Sequence, residues 1–188
     1  MQVRFGVLAL LLLGDGYGQQ LAREFERRTD RPLNSGQVSA TLERLARDGF
    51  VGDAGEDLAG RRRVALSMAG RDALDAWVRS GDDPDSGTVL ALLASIDGEL
   101  ALEYAQARAQ ALATVRSDEA PAELAPADDD SLAQAQWRRS LAGDRAARLG
   151  AAEAGWLAET IRSLRSGSAQ LEVPLAADPR RGRPQRGD

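Results

Sequence analysis

The stretch Asn34-Ser35-Gly36-Gln37-Val38-Ser39-Ala40-Thr41-Leu42-Glu43-Arg44-Leu45, closed by Asp48-Gly49-Phe50-Val51, decides the fold. Asn34 suits the position before a helix, where its side chain accepts from an otherwise unpaired N–H, and Gln37 three residues on completes a capping-box pattern. Val38, Leu42 and Leu45, spaced four and three apart, form one apolar stripe. Gly49 ends the helix, because glycine accepts the left-handed conformation that a helix stop favours. With the stripe inward, a step of about 100° per residue turns Gly36, Gln37, Ala40, Arg44 and Arg47 outward. Glu43 lies toward the same side.

Upstream, Val3 to Leu13 is too apolar for a surface helix and belongs in a core. Gln19 to Arg28 places Leu21, Ala22 and Phe25 on one stripe with Arg23, Glu24, Arg27 and Arg28 outside it. Downstream, Phe50-Val51-Gly52 and Arg63-Val64-Ala65-Leu66 flank a polar turn, Asp53 to Arg62, and read as a short hairpin. Ser67 caps a last helix, Met68 to Arg79, with Leu74, Trp77 and Val78 available for packing. Two helices, a capped third helix and a hairpin with a basic tip follow the order of a winged helix-turn-helix. In that architecture the third helix offers a short polar face to the DNA major groove, and the hairpin lays cations on phosphates or the minor groove. Gln37 and Arg44 have the donor geometry for adenine and guanine edges, and small Gly36 and Ala40 allow close approach. Strand alternation sends Arg61 and Arg63 to one side of the hairpin and Arg62 to the other. Taken singly, Arg44, Arg47 and the run Arg61 to Arg63 are ordinary solvated charges; the ordered pattern raises them above that.

Composition narrows the chemistry. All 24 basic residues are Arg, and Lys, His and Cys are absent. This removes the usual structural zinc site, the thiolate nucleophile, the Ser-His-Asp triad, the Schiff base and the P-loop lysine. A non-enzyme with no cofactor and no metal is expected. The absence of cysteine fits a cytoplasmic protein. Val7 to Leu13 falls far short of the roughly 20 residues that span a bilayer. No small-x-small cleavage pattern follows it, so it reads as a buried helix rather than a signal peptide, and no membrane partner is expected.

Charge marks the organisation. Residues 1 to 80 carry a net +1, residues 81 to 130 a net −10 and residues 131 to 188 a net +4. Residues 1–80 form the first domain, and 81–87 have the composition of a linker. Residues 88–166 hold two long Ala-rich helices, about Thr88 to Arg116 and Ser131 to Arg165, joined by a Pro- and acid-rich loop over 117–130. Residues 167–188, which include Arg180, Arg181, Arg183 and Arg186, have the composition of a disordered tail. Leu93, Ile96 and Leu100 on the first long helix form an apolar stripe, and Trp137, Leu141, Leu149, Trp156, Ile161 and Leu164 form one on the second. A second copy of the chain is expected to cover these stripes, which makes 88–166 a dimerisation region. The fold class is therefore mainly α, a winged helix-turn-helix domain followed by a long-helix region.

Residues 3 to 79, about two fifths of the chain, resemble the DNA-binding domain of the PadR family of bacterial transcriptional regulators. The resemblance rests on the apolar run Phe5 to Leu13 followed by Gly16-Tyr17-Gly18, on the Asn34 to Leu45 and Asp48 to Val51 segments, and on Gly60-Arg61-Arg62-Arg63-Val64-Ala65-Leu66-Ser67 running into Ala69-Gly70-Arg71. It implies a homodimeric regulator, a repressor, on double-stranded DNA with a near-palindromic operator. The implied DNA contacts are Asn34, Ser35, Gln37, Ser39, Ala40, Arg44 and Arg47 on the helix and Arg61, Arg62 and Arg63 on the wing. It also implies relief by a small hydrophobic effector, for which Trp137 and Trp156 are the candidate pocket residues. Those two lie 19 residues apart, about 100° out of alignment on a regular helix, which favours ordinary packing. The family usually has Tyr where Ser39 stands, and commonly Pro or a polar residue at Ala40. Loss of the Tyr removes one contact and implies a different operator or affinity. The alternative is a winged-helix protein-interaction module without sequence-specific DNA binding, which the net charge of −5 allows.

Overall fold

The computed structural model describes residues 1–118, 130–167 and Leu175. Two compact units divide the chain between Leu74 and Asp75. In the first, α1 (Val3–Leu10) runs into a 3-10 turn (Leu11–Leu13), followed by α2 (Gly18–Thr29), α3 (Ser35–Arg47), β1 (Val51–Glu56), β2 (Arg62–Leu66) and α4 (Met68–Ser80), whose later residues belong to the second unit. The fold is mainly α, and its first unit is a winged helix-turn-helix.

The core of that unit is set by three helical stripes. Phe5, Val7, Leu8 and Leu10 of α1, Leu21 and Phe25 of α2, and Val38, Leu42 and Leu45 of α3 are all buried. Glu24 and the side chain of Arg28, expected on the solvent side of α2, are buried as well. Glu24 Oε2 accepts from Arg27 Nη2 at 2.6 Å and from Arg28 Nε at 3.2 Å, so the carboxylate goes inside already neutralised by its own helix.

β1 and β2 pair antiparallel with Val51 opposite Leu66 and Asp53 opposite Val64. The strands reach further than the sequence implies, and the turn shrinks to Asp57 to Arg61. A polar strand is hard to tell from a loop by composition, which is why the expected turn was twice too wide. One extra residue on β1 makes a bulge between Asp53 and Glu56, where Gly55 takes a φ of +80° and Asp53 Oδ1 accepts its N–H at 2.9 Å. Gly16 bridges Val64 with N···O distances of 3.1 and 2.9 Å, adding a third, single-residue strand that ties the hairpin to the start of α2.

The second unit contains α5 (Ser86–Ala94), α6 (Gly98–Asp118) and α7 (Asp130–Arg165). A single helix from Thr88 to Arg116 was expected; the chain breaks at Ser95 to Asp97. Asp97 Oδ1 accepts from Glu99 N at 2.8 Å and Leu100 N at 3.2 Å, so an Asp-Gly pair caps a new helix instead of continuing the old one. Leu93, Ile96 and Leu100 are buried without a second copy, which corrects the expectation for that stripe. Within residues 81–87, Gly81, Asp83 and Ser86 are buried, and a Cβ on Gly81 (φ +59°) would collide with the Arg108 backbone. Arg108 Nε donates to Glu153 Oε1 at 2.9 Å, and Ser86 Oγ donates to the same oxygen at 2.7 Å, which joins α5, α6 and α7 at one point. Residues 119–129 of the expected acidic loop, the Leu141 side chain and the expected tail, Leu175 excepted, lie outside the described residues. No helix among the described residues is long and apolar enough to cross a membrane.

Candidate nucleic-acid interface

α3 is held at both ends by local chemistry. Asn34 Oδ1 accepts the Gly36 N–H at 2.7 Å. At the other end Phe50 N donates to Leu45 O at 2.8 Å and Gly49 N to Ala46 O at 3.1 Å, with Gly49 at a φ of +77°, which is a Schellman stop. Between the caps, Val38, Thr41, Leu42 and Leu45 are buried, and Thr41 Oγ1 donates to Gln37 O at 2.8 Å. Thr41 therefore joins the inward side, which hydrophobic spacing alone does not reveal.

Asn34, Ser35, Gly36, Gln37, Ser39, Ala40, Glu43, Arg44 and Arg47 are all exposed. Arg44 Nη2 rests on Thr41 Oγ1 at 3.3 Å. Neither Arg44 nor Arg47 forms an ion pair among the described residues, so both retain charge and donors for an external acceptor. Ser39 sits at the edge of this face, and its Oγ lies 2.9 Å from where a Cβ on Gly18 would be. A glycine at the start of α2 is what lets the two helices approach there.

The three wing arginines have three different environments. Arg61 turns inward: its Nε donates to Asp57 Oδ2 at 2.7 Å, and its guanidinium carbon lies 4.1 Å from the centre of the buried Tyr17 ring. Arg63 Nη2 donates to the Asp15 carbonyl at 2.9 Å, with the Asp15 carboxylate 3.8 Å away. Arg62 faces outward, 76% exposed in its side chain, and pairs with exposed Asp53 at 2.9 Å. Strand alternation foresaw the division. It could not foresee Tyr17 and Asp15 as the inner partners, which are far away in sequence and brought near only by the Gly16–Val64 bridge. The Gly55 N–H and then Arg62 hold the Asp53 carboxyl below the usual carboxylate range. The Arg61 N–H chiefly does the same for Asp57, against some opposing desolvation. The wing thus carries its own counter-charges, and one cation, Arg62, projects from it.

In the second unit, Trp137 and Trp156 are 63% and 43% exposed, so neither indole is in a core. Leu149, 55% exposed, is seven residues before Trp156 and shares its side of α7.

No model of a known protein family matches the chain, and no curated protein matches it. Among solved structures, the chain is similar to the crystal structure of Bacillus subtilis PadR in complex with operator DNA, at 16% identity and a TM-score of 0.38, over 85% of this chain and 96% of that one.

Proposed function

We propose that the protein is a sequence-specific DNA-binding transcriptional regulator, a repressor that acts as a homodimer. The observation that carries this reading is the outer face of α3. Gln37, Arg44 and Arg47 stand exposed around small Gly36 and Ala40, and the two arginines are unpaired among the described residues while those of the wing are paired. An α-helix with that face fits the width of the major groove. Gln37 matches the donor and acceptor pattern of adenine, and Arg44 that of guanine. Arg47, a turn further along, reaches a phosphate, and Glu43 must lie away from the backbone or pair with a base amino group.

A second copy supplies the second half-site. Exposed Leu149 and Trp156 on one side of α7 are the apolar groups that such a copy would cover, and two-fold symmetry then gives a near-palindromic operator. A planar hydrophobic effector would stack on the exposed indoles of Trp137 or Trp156 and loosen operator binding.

Selection of bound duplexes from a randomised pool by the full chain tests the core of the reading. Two related half-sites spaced by about one or two helical turns are expected. Recovery of no preferred sequence would leave the winged-helix protein-interaction module as the function, a reading favoured by the near-equality of acids and arginines on the wing. In the effector arm, indole quenching by a planar compound must be accompanied by an equal change in DNA affinity, since coupling between two sites is reciprocal.

A further inference from the structure

The wing tip is tied together by its own hydrogen bonds. Asp57-Leu58-Ala59-Gly60-Arg61 forms a tight loop in which Asp57 N donates to Arg61 O at 3.0 Å and Gly60 N to Asp57 O at 2.9 Å, with Gly60 at a φ of +73°. Both carboxylate oxygens of Asp57 are used. Oδ1 accepts from Ala59 N and Arg61 N, each at 2.9 Å, and Oδ2 from Arg61 Nε at 2.7 Å and Nη2 at 2.6 Å. The other side of the Arg61 guanidinium lies against Tyr17, whose backbone is continuous with the Gly16–Val64 bridge. A series of contacts thus runs from the domain through Tyr17, Arg61 and Asp57 to the tip. At its end stands Leu58, 99% exposed.

The framework fixes the tip, and the tip presents the Leu58 side chain outward from a set position. Resting on the DNA-binding reading above, we infer that the wing is an apolar probe of the minor groove, in which Leu58 makes the contact and Asp57, Arg61 and Tyr17 are its positioning residues. The Schellman stop passes α3 directly into β1, so with α3 in the major groove the hairpin lies over the adjoining minor groove. Apolar side chains suit that groove, whose walls are sugars and whose A·T floor offers no amino group. Asp57 spends its charge inward on Arg61, whereas the pair of Arg62 with Asp53 on the outer side of β2 is exposed, so Arg62 can exchange that partner for a phosphate. Ordering the tip before binding removes the entropy cost that a mobile loop would incur on contact.

The test uses the full chain and a duplex carrying the sequence that the full chain itself selects. Leu58→Ala, at an exposed position that cannot disturb folding, is expected to weaken binding about tenfold with the salt dependence unchanged. Replacing adenine by diaminopurine under the wing adds a minor-groove amino group and leaves the major-groove edge intact. It is expected to weaken the wild-type chain and to have little effect on Leu58→Ala. Asp57→Ala carries the sharpest sign. Removing a negative charge beside DNA tightens binding if charge is all that matters, whereas loss of the positioning framework weakens it. Arg61→Ala is expected to weaken binding without altering the salt slope, and Arg62→Ala to lower that slope by about one. Should the wild-type chain bind its duplex while Leu58→Ala binds within about twofold of it, the apolar probe is refuted and the DNA-binding reading survives. Tighter binding by Asp57→Ala overturns the positioning role. Failure of the wild-type chain to select any duplex overturns both.

Discussion

Gly70→Ala gives a quantitative test of the junction that sets the angle between α3 and the wing. Three contacts meet there. Ser67 N donates to Phe50 O at 3.1 Å, Ser67 Oγ donates to Gly49 O at 2.7 Å, and Gly70 N donates to Ser67 Oγ at 3.0 Å. A Cβ on Gly70 would overlap the Phe50 carbonyl oxygen, lying 3.0 Å from its carbon and 2.9 Å from Leu66 Cδ1. Leu66 has rotamers to retreat into, but the carbonyl is backbone and already engaged by Ser67. The first turn of α4 must therefore move away by about 1 Å, a backbone shift of the kind that costs about 1–3 kcal/mol. Helix propensity returns up to about 1 kcal/mol, and the net expectation is a loss of about 2 kcal/mol, or about 10 °C in melting temperature for a unit of this size. Gly87→Ala is the control: it lies in α5 with nothing within 4 Å of its Cβ position, and it is expected to be neutral or slightly stabilising. Thermal unfolding of the full chain followed by far-ultraviolet circular dichroism measures both. If Gly70→Ala melts with the wild type, or no lower than Gly87→Ala, the account of this junction is wrong.

Other expectations follow from the two faces and the second unit. Arg44→Ala should cost about 1–3 kcal/mol and flatten preference at one base pair in each half-site; unchanged selection by this variant would mean that Gln37 and Ser39 are the readers. Burial works to raise the Glu153 carboxyl, but hydrogen bonds from Arg108 and Ser86 outweigh it and hold the group below its ordinary value of 4.5. A depressed carboxylate contributes fully above its unfolded value and loses that contribution as pH falls through the folded one. Glu153→Gln should therefore be less stable at neutral pH and less sensitive to acid than the wild type, and parallel melting curves against pH for the two proteins would contradict this. Sedimentation at micromolar concentration should give about twice 20.0 kDa, and Trp156→Glu should shift the chain toward monomer; a Trp156→Glu dimer as tight as the wild type would move the interface off this side of α7.

Much of the first unit could be read directly from the letters, because its signals are local. Caps, glycine stops and apolar spacing act within a few residues, so Asn34, Gly49 and the Val38-Leu42-Leu45 stripe specify α3 and its outer face before any packing is considered. Strand alternation is equally local, and it separated Arg62 from Arg61 and Arg63. Tertiary structure decided what those side chains meet. Tyr17 and Asp15 reach the wing through the Gly16–Val64 bridge, and this contact gives Arg61 and Arg63 partners inside the domain. Likewise, Glu24 and Arg28 look solvent-facing on a helical wheel, but a pair that neutralises itself can enter a core. In the second unit high Ala content blurs the helical period, so the break at Ser95 to Asp97 and the burial of Leu93, Ile96 and Leu100 emerged only once α5, α6 and α7 were packed together. Local order is a matter of neighbouring residues along the chain; which charges are consumed inside and which remain for a partner depends on neighbours that only folding provides.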